Sequence, residues 1–266
     1  MCKECGCGLG GGSVNIGGHA HDHDHEHGHQ HHDHDHDHGH GHAHEPLTLN
    51  LNRSLMEKND RLAERNRGFF QAKKLLVLNV VSSPGSGKTT FIRETAVQLA
   101  GKLRVGVIVG DLATDNDAAR LREAGIPVVQ ITTGTVCHLD ADMVSKAAAQ
   151  LDLDKLDVLV IENVGNLVCP ADYDLGEDLR VVLLSTTEGE DKPLKYPPMF
   201  HSANVAVITK NDLATAAGFN RQQTLANLKR ISHHAQVFEL SAKTGEGMEA
   251  WLDFLVKQRA AQSTSL

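Results

Sequence analysis

The chain has 266 residues and a formal charge of −8 with histidine neutral, so it lacks the basic balance that a nucleic-acid partner requires. The first 45 residues are dominated by His, Asp, Gly and Cys, 32 of the 45; they can bury no core, and the remainder is enough for one α/β domain. Five cysteines, three of them at Cys2, Cys5 and Cys7, exclude a secreted disulfide framework, and with no apolar leader and no membrane-length apolar run the expected setting is cytoplasmic.

In chain order, residues 1–45 read as a low-complexity tail without fixed structure in the absence of metal. Fourteen of the eighteen histidines lie between His19 and His44, so protonation or metal binding turns this tail cationic. "LTLNLNRSLMEKNDRLAERNRGFFQAKK" predicts a helix with Leu51, Leu55, Leu62 and Phe69 near one face. "KLLVLNVVSS" is a continuous apolar run, as in a strand buried on both faces. From there helix and strand patterns alternate. "TTFIRETAVQLAGK", "DAARLREAG", "DADMVSKAAAQL", "NRQQTLANLKRIS" and "GMEAWLDFLVKQRAA" read as helices; "RVGVIVGD", "IPVVQIT", "DVLVIENVG", "LRVVLLSTT", "NVAVITKNDL" and "AQVFELSA" read as strands. The expected fold is α/β, a mostly parallel twisted sheet with helices on both faces and ligands at the carboxyl ends of the strands.

"VVSSPGSGKTTF" joins the first buried strand to the first helix of this series, where a phosphate loop belongs. Gly85 and Gly87 let backbone N–H groups turn toward phosphate oxygens, and the helix N-terminus adds partial positive charge. Lys88 would reach the β- and γ-phosphates and Thr89 would bind Mg²⁺; Ser86 and Thr90 complete the expected lining. Ser82 stands where the usual pattern has its first glycine. The plain alternative, a glycine-rich turn that binds nothing, fits Gly-Lys-Thr in a strand–turn–helix setting poorly.

Two later strands end in guanine-reading chemistry. Thr209-Lys210-Asn211-Asp212 and Ser241-Ala242-Lys243 resemble the N-K-x-D and S-A-K motifs of GTPases. The Asp212 carboxylate can accept both N1–H and N2–H₂ of guanine, whereas the N1 lone pair of adenine would repel it. The Ala242 N–H can donate to O6, and the stem of Lys210 can lie along the base. Thr209 replaces the usual Asn and can brace the phosphate loop through fewer bonds. In "DVLVIENVGN", Glu162-x-x-Gly165 stands where D-x-x-G is usual, with Glu162 a candidate for Mg²⁺ and Gly165 N–H for the γ-phosphate. Asp111 is a second Mg²⁺ candidate. Asp115 and Asp117 read as a helix cap and a solvated face, in a loop with the makings of a switch.

Cys2-x-x-Cys5-x-Cys7 can fold around one ion; a planar set of three S and one N suits Ni²⁺, a tetrahedral one Zn²⁺. The histidine tract is a multi-site imidazole surface suited to storage; its interleaved Asp and Gly, and its place after a cysteine motif, argue against an expression tag. Cys137 and His138 precede a helix, and Cys169 lies seven residues past Glu162. A lone buried cysteine is usually a small hydrophobe, but Cys169 follows the γ-phosphate sensor directly, which makes a nucleotide-coupled metal site sensible.

Taken together, these residues resemble the HypB family of hydrogenase nickel-incorporation GTPases, within the SIMIBI class of P-loop GTPases. The most specific pieces are "VVSSPGSGKTT", "GDLATDNDAARL", "TTGTVCHLDADM" and "ENVGNLVCP". The resemblance implies GTP hydrolysis to GDP with Mg²⁺, a GTP-promoted homodimer, a nickel site at Cys2, Cys5 and Cys7, and a second Ni²⁺/Zn²⁺ site at Cys137, His138 and Cys169 near the subunit interface. It also implies the metallochaperone HypA and the large-subunit precursor of [NiFe]-hydrogenase as partners. The corresponding division is a metal-binding tail over 1–45, a helix over 46–72 and a GTPase domain over 73–266. Competing readings are a nickel store with weak NTPase activity, an ATP-dependent small-molecule kinase, and the related urease nickel GTPase, whose Cys-Pro-His motif this chain lacks.

Overall fold

The computed structural model describes residues 47–112 and 115–264; Cys2, Cys5, Cys7 and the histidine tract lie outside them. Seven strands, β1 (Leu76–Ser82), β2 (Val105–Asp111), β3 (Val128–Thr132), β4 (Val158–Glu162), β5 (Leu179–Ser185), β6 (Val205–Thr209) and β7 (Gln236–Glu239), form one sheet in the order β3-β2-β4-β1-β5-β6-β7. Every pairing is parallel. β1, β4 and β6 are buried along their whole length. Their Val/Ile/Leu runs suit strands covered on both faces, where β-branched side chains pack well against the pleat.

The covering elements are α1 (Leu47–Ala72), α2 (Lys88–Leu99), α3 (Asn116–Glu123), α4 (Ala141–Ala148), α5 (Lys192–Lys195), α6 (Pro197–His201), α7 (Arg221–Ile231) and α8 (Met248–Thr264). One face packs Leu76, Leu78 and Val80 against Phe91 and Leu99 of α2, Leu121 of α3 and Trp251 and Leu255 of α8. Trp251 lies among Phe91, Phe238 and Phe254 and donates Nε1–H to Thr95 Oγ1 at 3.0 Å, so its one polar atom is satisfied. The other face carries two separate apolar clusters. Phe70 of α1 and Val144 of α4 cover Val77, Ile108 and Ile161, while Met199 and Phe200 of α6 and Leu228 of α7 cover Val182, Leu184 and Ile208.

A polar seam runs along this second face. Asn79, at the centre of β1, is fully buried. It donates to Glu177 Oε1 at 3.0 Å and accepts from Asn163 Nδ2 at 3.2 Å. Glu177 also takes Arg180 Nε at 3.0 Å and Leu175 N at 2.8 Å. Arg180 spends its remaining donors on the carbonyls of Ala171 and Tyr173 and on Ser202 Oγ. Burial alone would push the Glu177 carboxyl up, but the Arg180 charge and the Asn79 amide outweigh it and hold it below the usual range.

Two features depart from the sequence pattern. In α1, Leu55 and Phe69 are 52% and 47% exposed, and the buried stripe is Asn59, Ala63, Asn66 and Phe70. The reason is that α1 docks on backbone rather than only on oil. Asn59 accepts from Ala141 N at 3.0 Å and donates to Asp174 O at 2.9 Å, and Asn66 donates to Ala141 O and Leu175 O. The helix ends at Ala72, and Lys74 takes φ 56° to turn the chain into β1. The second feature is the β5–β6 crossover, where the proline-containing "KPLKYPPMFH" forms the short helices α5 and α6.

Replacing Arg180 with Met strands a buried carboxylate and should destabilise the fold by about 3–5 kcal/mol; adding Glu177→Gln should restore about half of that. Urea unfolding of the single and double variants checks both the size and the recovery.

Candidate nucleotide pocket and metal centre

The candidate residues lie at the carboxyl ends of strands or in the loops that leave them. Such ends are exposed together where a parallel sheet changes direction, here beside β1 with β4 on one flank and β5 on the other. The loop after β1 turns through Gly85 and Gly87 at φ 77° and 93°, conformations a side chain would strain. Gly87 caps α2, so the first N–H groups of that helix face the cleft. Lys88 Nζ donates to Ser82 Oγ at 3.0 Å; the serine in the glycine position thus gives the lysine a polar rest. Burial pushes the Lys88 ammonium down, opposed by the Glu162 charge.

Thr89 donates Oγ–H to Glu162 Oε1 at 2.8 Å, while Glu162 Oε2 is buried with no hydrogen-bond partner among the described residues. Burial pushes the Glu162 carboxyl up to about 7, with Lys88 and the Thr89 hydroxyl pulling it down. A hydroxyl beside an unsatisfied buried carboxylate oxygen fits a hard divalent cation such as Mg²⁺. Asp111 and Gly165 line the same cleft of about 530 Å³, with Lys88, Thr89, Thr90 and Glu162. A side chain at Gly165 would meet Pro84 Cα at 3.1 Å, so this loop lies close against the phosphate loop and any Cβ there would press on it.

A second hollow of about 270 Å³ shares the Gly87, Thr90 and Lys210 walls and is closed by Ser86, Thr209, Asp212, Ser241, Ala242 and Lys243. Thr209 Oγ1 donates to Ser86 O at 3.0 Å, a single brace on the loop. Lys210, at φ 60°, lays its chain across Gly87 and donates to Gly85 O at 2.7 Å. Ser241 Oγ donates to Asp212 Oδ1 at 2.6 Å, fixing the carboxylate. A phosphate-sized cleft and a base-sized hollow therefore meet at the phosphate loop.

Cys137, His138 and Cys169 converge: their ligand atoms lie within 4.8 Å of one another, the one such group of three among the described residues. Cys137 Sγ and Cys169 Sγ are 3.0 Å apart and not bonded. His138 is buried and stacked on Tyr173 at 3.9 Å between ring centroids, and its Nδ1 has no hydrogen-bond partner among the described residues. Burial pushes its imidazole down, against the pull of Asp140, so the neutral ligand form prevails at neutral pH. Two thiols and a neutral imidazole make a soft to borderline donor set that suits Ni²⁺ or Zn²⁺.

Some residues escaped the sequence reading. Asp115 occupies the N-cap position of α3, but its side chain makes no cap; it pairs with Arg122 at 2.7 Å instead. Asp117 is not merely solvated: with Arg120 it lines the cleft. Glu188 accepts from Ser86 Oγ at 3.1 Å and from Ser185 N at 3.0 Å, and Lys192 donates to Ser83 Oγ at 3.0 Å. Their one visible signal is a charged run, "EGEDK", directly after a buried strand.

Sheet order, loop and cleft define a P-loop nucleotide-binding protein. Residues 76–239 match the family model "CobW/HypB/UreG, nucleotide-binding domain", and the chain belongs to that family, in its HypB branch. It is 50% identical over 213 residues to the hydrogenase maturation factor HypB of Escherichia coli K12, a match covering 80% of this chain and 73% of that protein. Among solved structures, HypB from Helicobacter pylori in complex with nickel aligns with a TM-score of 0.74 at 41% identity, over 77% of this chain and 96% of that one. HypB from Archaeoglobus fulgidus aligns at 0.72 and 40% identity, over 76% and 99%. None of the described helices is long and apolar enough to cross a membrane.

The folded Glu162 carboxyl titrates near 7 against 4.5 for an unperturbed glutamate. Its burden on folding is absent below the lower value, grows as pH rises, and is complete above the upper one. Glu162→Gln should therefore stabilise the metal-free, nucleotide-free chain by on the order of 2–3 kcal/mol at pH 8 and hardly at all at pH 4.5. Denaturant unfolding at the two pH values checks it.

Proposed function

We propose that the protein is a GTP-hydrolysing nickel metallochaperone that delivers Ni²⁺ to [NiFe]-hydrogenase during its maturation. The observation that carries this reading is the joining of a nucleotide cleft and a thiolate–imidazole cluster by one short segment, Glu162 to Cys169. The nickel complex of the Helicobacter pylori relative and the hydrogenase-maturation role of the Escherichia coli one support it.

The reaction converts GTP and water to GDP and phosphate. Lys88 offsets charge on the β- and γ-phosphates, and the N–H groups of the loop and of Gly165 hold the γ-phosphate oxygens. Thr89, Glu162 and Asp111 would hold Mg²⁺, which supplies further neutralisation of the triphosphate. Glu162 must be ionised for that role, so nucleotide binding and loss of its proton support each other. Asp212, held by Ser241, takes the two guanine donors, Ala242 N–H serves O6, and Lys210 with Lys243 walls the base.

Cys137, His138 and Cys169 carry the nickel, with Zn²⁺ as a competitor for the same donors. Val168 and Leu112 are 59% and 42% exposed beside Cys169 and Asp111; apolar residues on this rim fit a homodimer that closes when GTP is bound. Cys2, Cys5 and Cys7 form a first nickel site, and the histidine tract stores further ions. The functional parts are thus tail 1–45, helix 46–72 and GTPase domain 73–266. The metallochaperone HypA and the hydrogenase large-subunit precursor are the partners this role requires, and the setting is cytoplasmic.

Xanthine replaces the guanine 2-amino donor with a carbonyl acceptor, which an Asn amide can serve and an Asp carboxylate repels. Asp212→Asn should therefore weaken GTP at least tenfold and strengthen xanthosine triphosphate. Competition binding with GTP, ATP and xanthosine triphosphate tests this; unchanged GTP preference in the variant would remove Asp212 as the guanine reader, and a preference of the unaltered chain for ATP would favour the kinase reading.

A further inference from the structure

On the nucleotide–nickel reading above, on which this inference rests, particular atoms must carry the influence of one site to the other. Between Glu162 and Cys169 the chain passes Gly165, pressed against Pro84 of the phosphate loop. The next residue is Asn166. Its Nδ2 donates to Cys137 O at 3.2 Å, and its Oδ1 accepts from Val168 N at 2.9 Å. One carboxamide thus holds the backbone of both cysteine-bearing loops, one position after the glycine that touches the phosphate loop.

The segment has a fixed end. Asn163, next to Glu162, accepts from Leu139 N at 3.3 Å and from Val164 N at 2.9 Å, and it donates into the buried seam at Asn79. Leu139 follows His138 directly and is wedged against Gly110, with methyl carbons 2.8 Å from where a Cβ there would sit. Asn163 and Leu139 are therefore anchored to the sheet. Asn166 is half-buried, and among the described residues its side chain makes two hydrogen bonds, both to the cysteine-bearing loops. If Gly165 moves when the cleft fills, the segment has its fixed end at Asn163, and Asn166 is the next residue along.

We propose that Asn166 is the positioning residue that transmits nucleotide state to the metal centre. Its grip on the Cys137 carbonyl makes the spacing of Cys137 and Cys169 follow Gly165. Two discrete arrangements of a hydrogen-bonded loop pair are what a coupling between separated sites needs. Asn166→Asp separates this role from mere loop shaping. The carboxylate still accepts from Val168 N, but it has no proton to give the Cys137 carbonyl and repels it.

The test uses the full chain with Cys2, Cys5 and Cys7 changed to Ala, so that Cys137 and Cys169 are the two remaining thiols of the five. Ni²⁺ is titrated against the thiolate-to-nickel charge-transfer band, once with Mg²⁺–GDP and once with Mg²⁺ and a non-hydrolysable GTP analogue. With Asn166 intact, the two affinities should differ by at least about fivefold; with Asn166→Asp the ratio should fall within about twofold of one, while each nucleotide still binds the metal-free chain as before. A ratio that survives Asn166→Asp overturns the proposal. So does loss of the band in both nucleotide states, because Asn166 would then build the centre rather than relay to it. Equal affinities with Asn166 intact would instead bring down the nucleotide–nickel function itself, a result distinct from either.

Discussion

The buried Glu177–Arg180 pair is the constraint on which the rest of this molecule leans. A carboxylate and a guanidinium, both under a tenth exposed, tolerate removal from water only because nearly every donor and acceptor on them is used. Those bonds run to β1 through Asn79 and to the segment after Cys169 through the Ala171 and Tyr173 carbonyls. Arg67 of α1 reaches the same region, donating to Glu177 O at 2.6 Å. The polar seam ties β1, α1 and the segment after Cys169 to one another by directional bonds that apolar packing does not supply.

The cleft is poised rather than relaxed. Lys88 and Glu162 are each displaced by burial toward their neutral forms, and each is pulled back by the other's charge. A triphosphate with its cation offers both groups better partners than they have alone, so the free protein stores an electrostatic mismatch that the ligand resolves. The Ser82 hydroxyl and the Thr89 hydroxyl serve meanwhile as neutral partners for the lysine and the carboxylate. Glu188 and Lys192 add a pair of opposite charges against the loop serines, which steadies the backbone without filling the space for phosphate.

Much of this was legible in the sequence because the physics was local. Strands buried on both faces read as unbroken Val/Ile/Leu runs, and a phosphate loop announces itself by glycines, a lysine and a hydroxyl between strand and helix. Asp212 and Ser241 could be singled out because each lies in a short contiguous motif, and the fold then joins them by a hydrogen bond. Cys137, His138 and Cys169 were visible as residue types, but only the fold brings these side chains from two loops together. The α1 face was misjudged because Leu and Phe normally mark burial, whereas here Asn59 and Asn66 go inside to meet carbonyls and an N–H of distant loops. Asp115 was misjudged because N-cap position and cap geometry are different things. Asn163 and Asn166 carry no periodicity, and nothing but their hydrogen-bond partners reveals them.

The imidazole of His138 is aligned by the face of Tyr173, while its buried Nδ1 has no hydrogen-bond partner among the described residues. Stacking sets the direction of the ring without occupying that nitrogen. An imidazole held in this way can offer its buried Nδ1 to an ion without first giving up a hydrogen bond to the described residues.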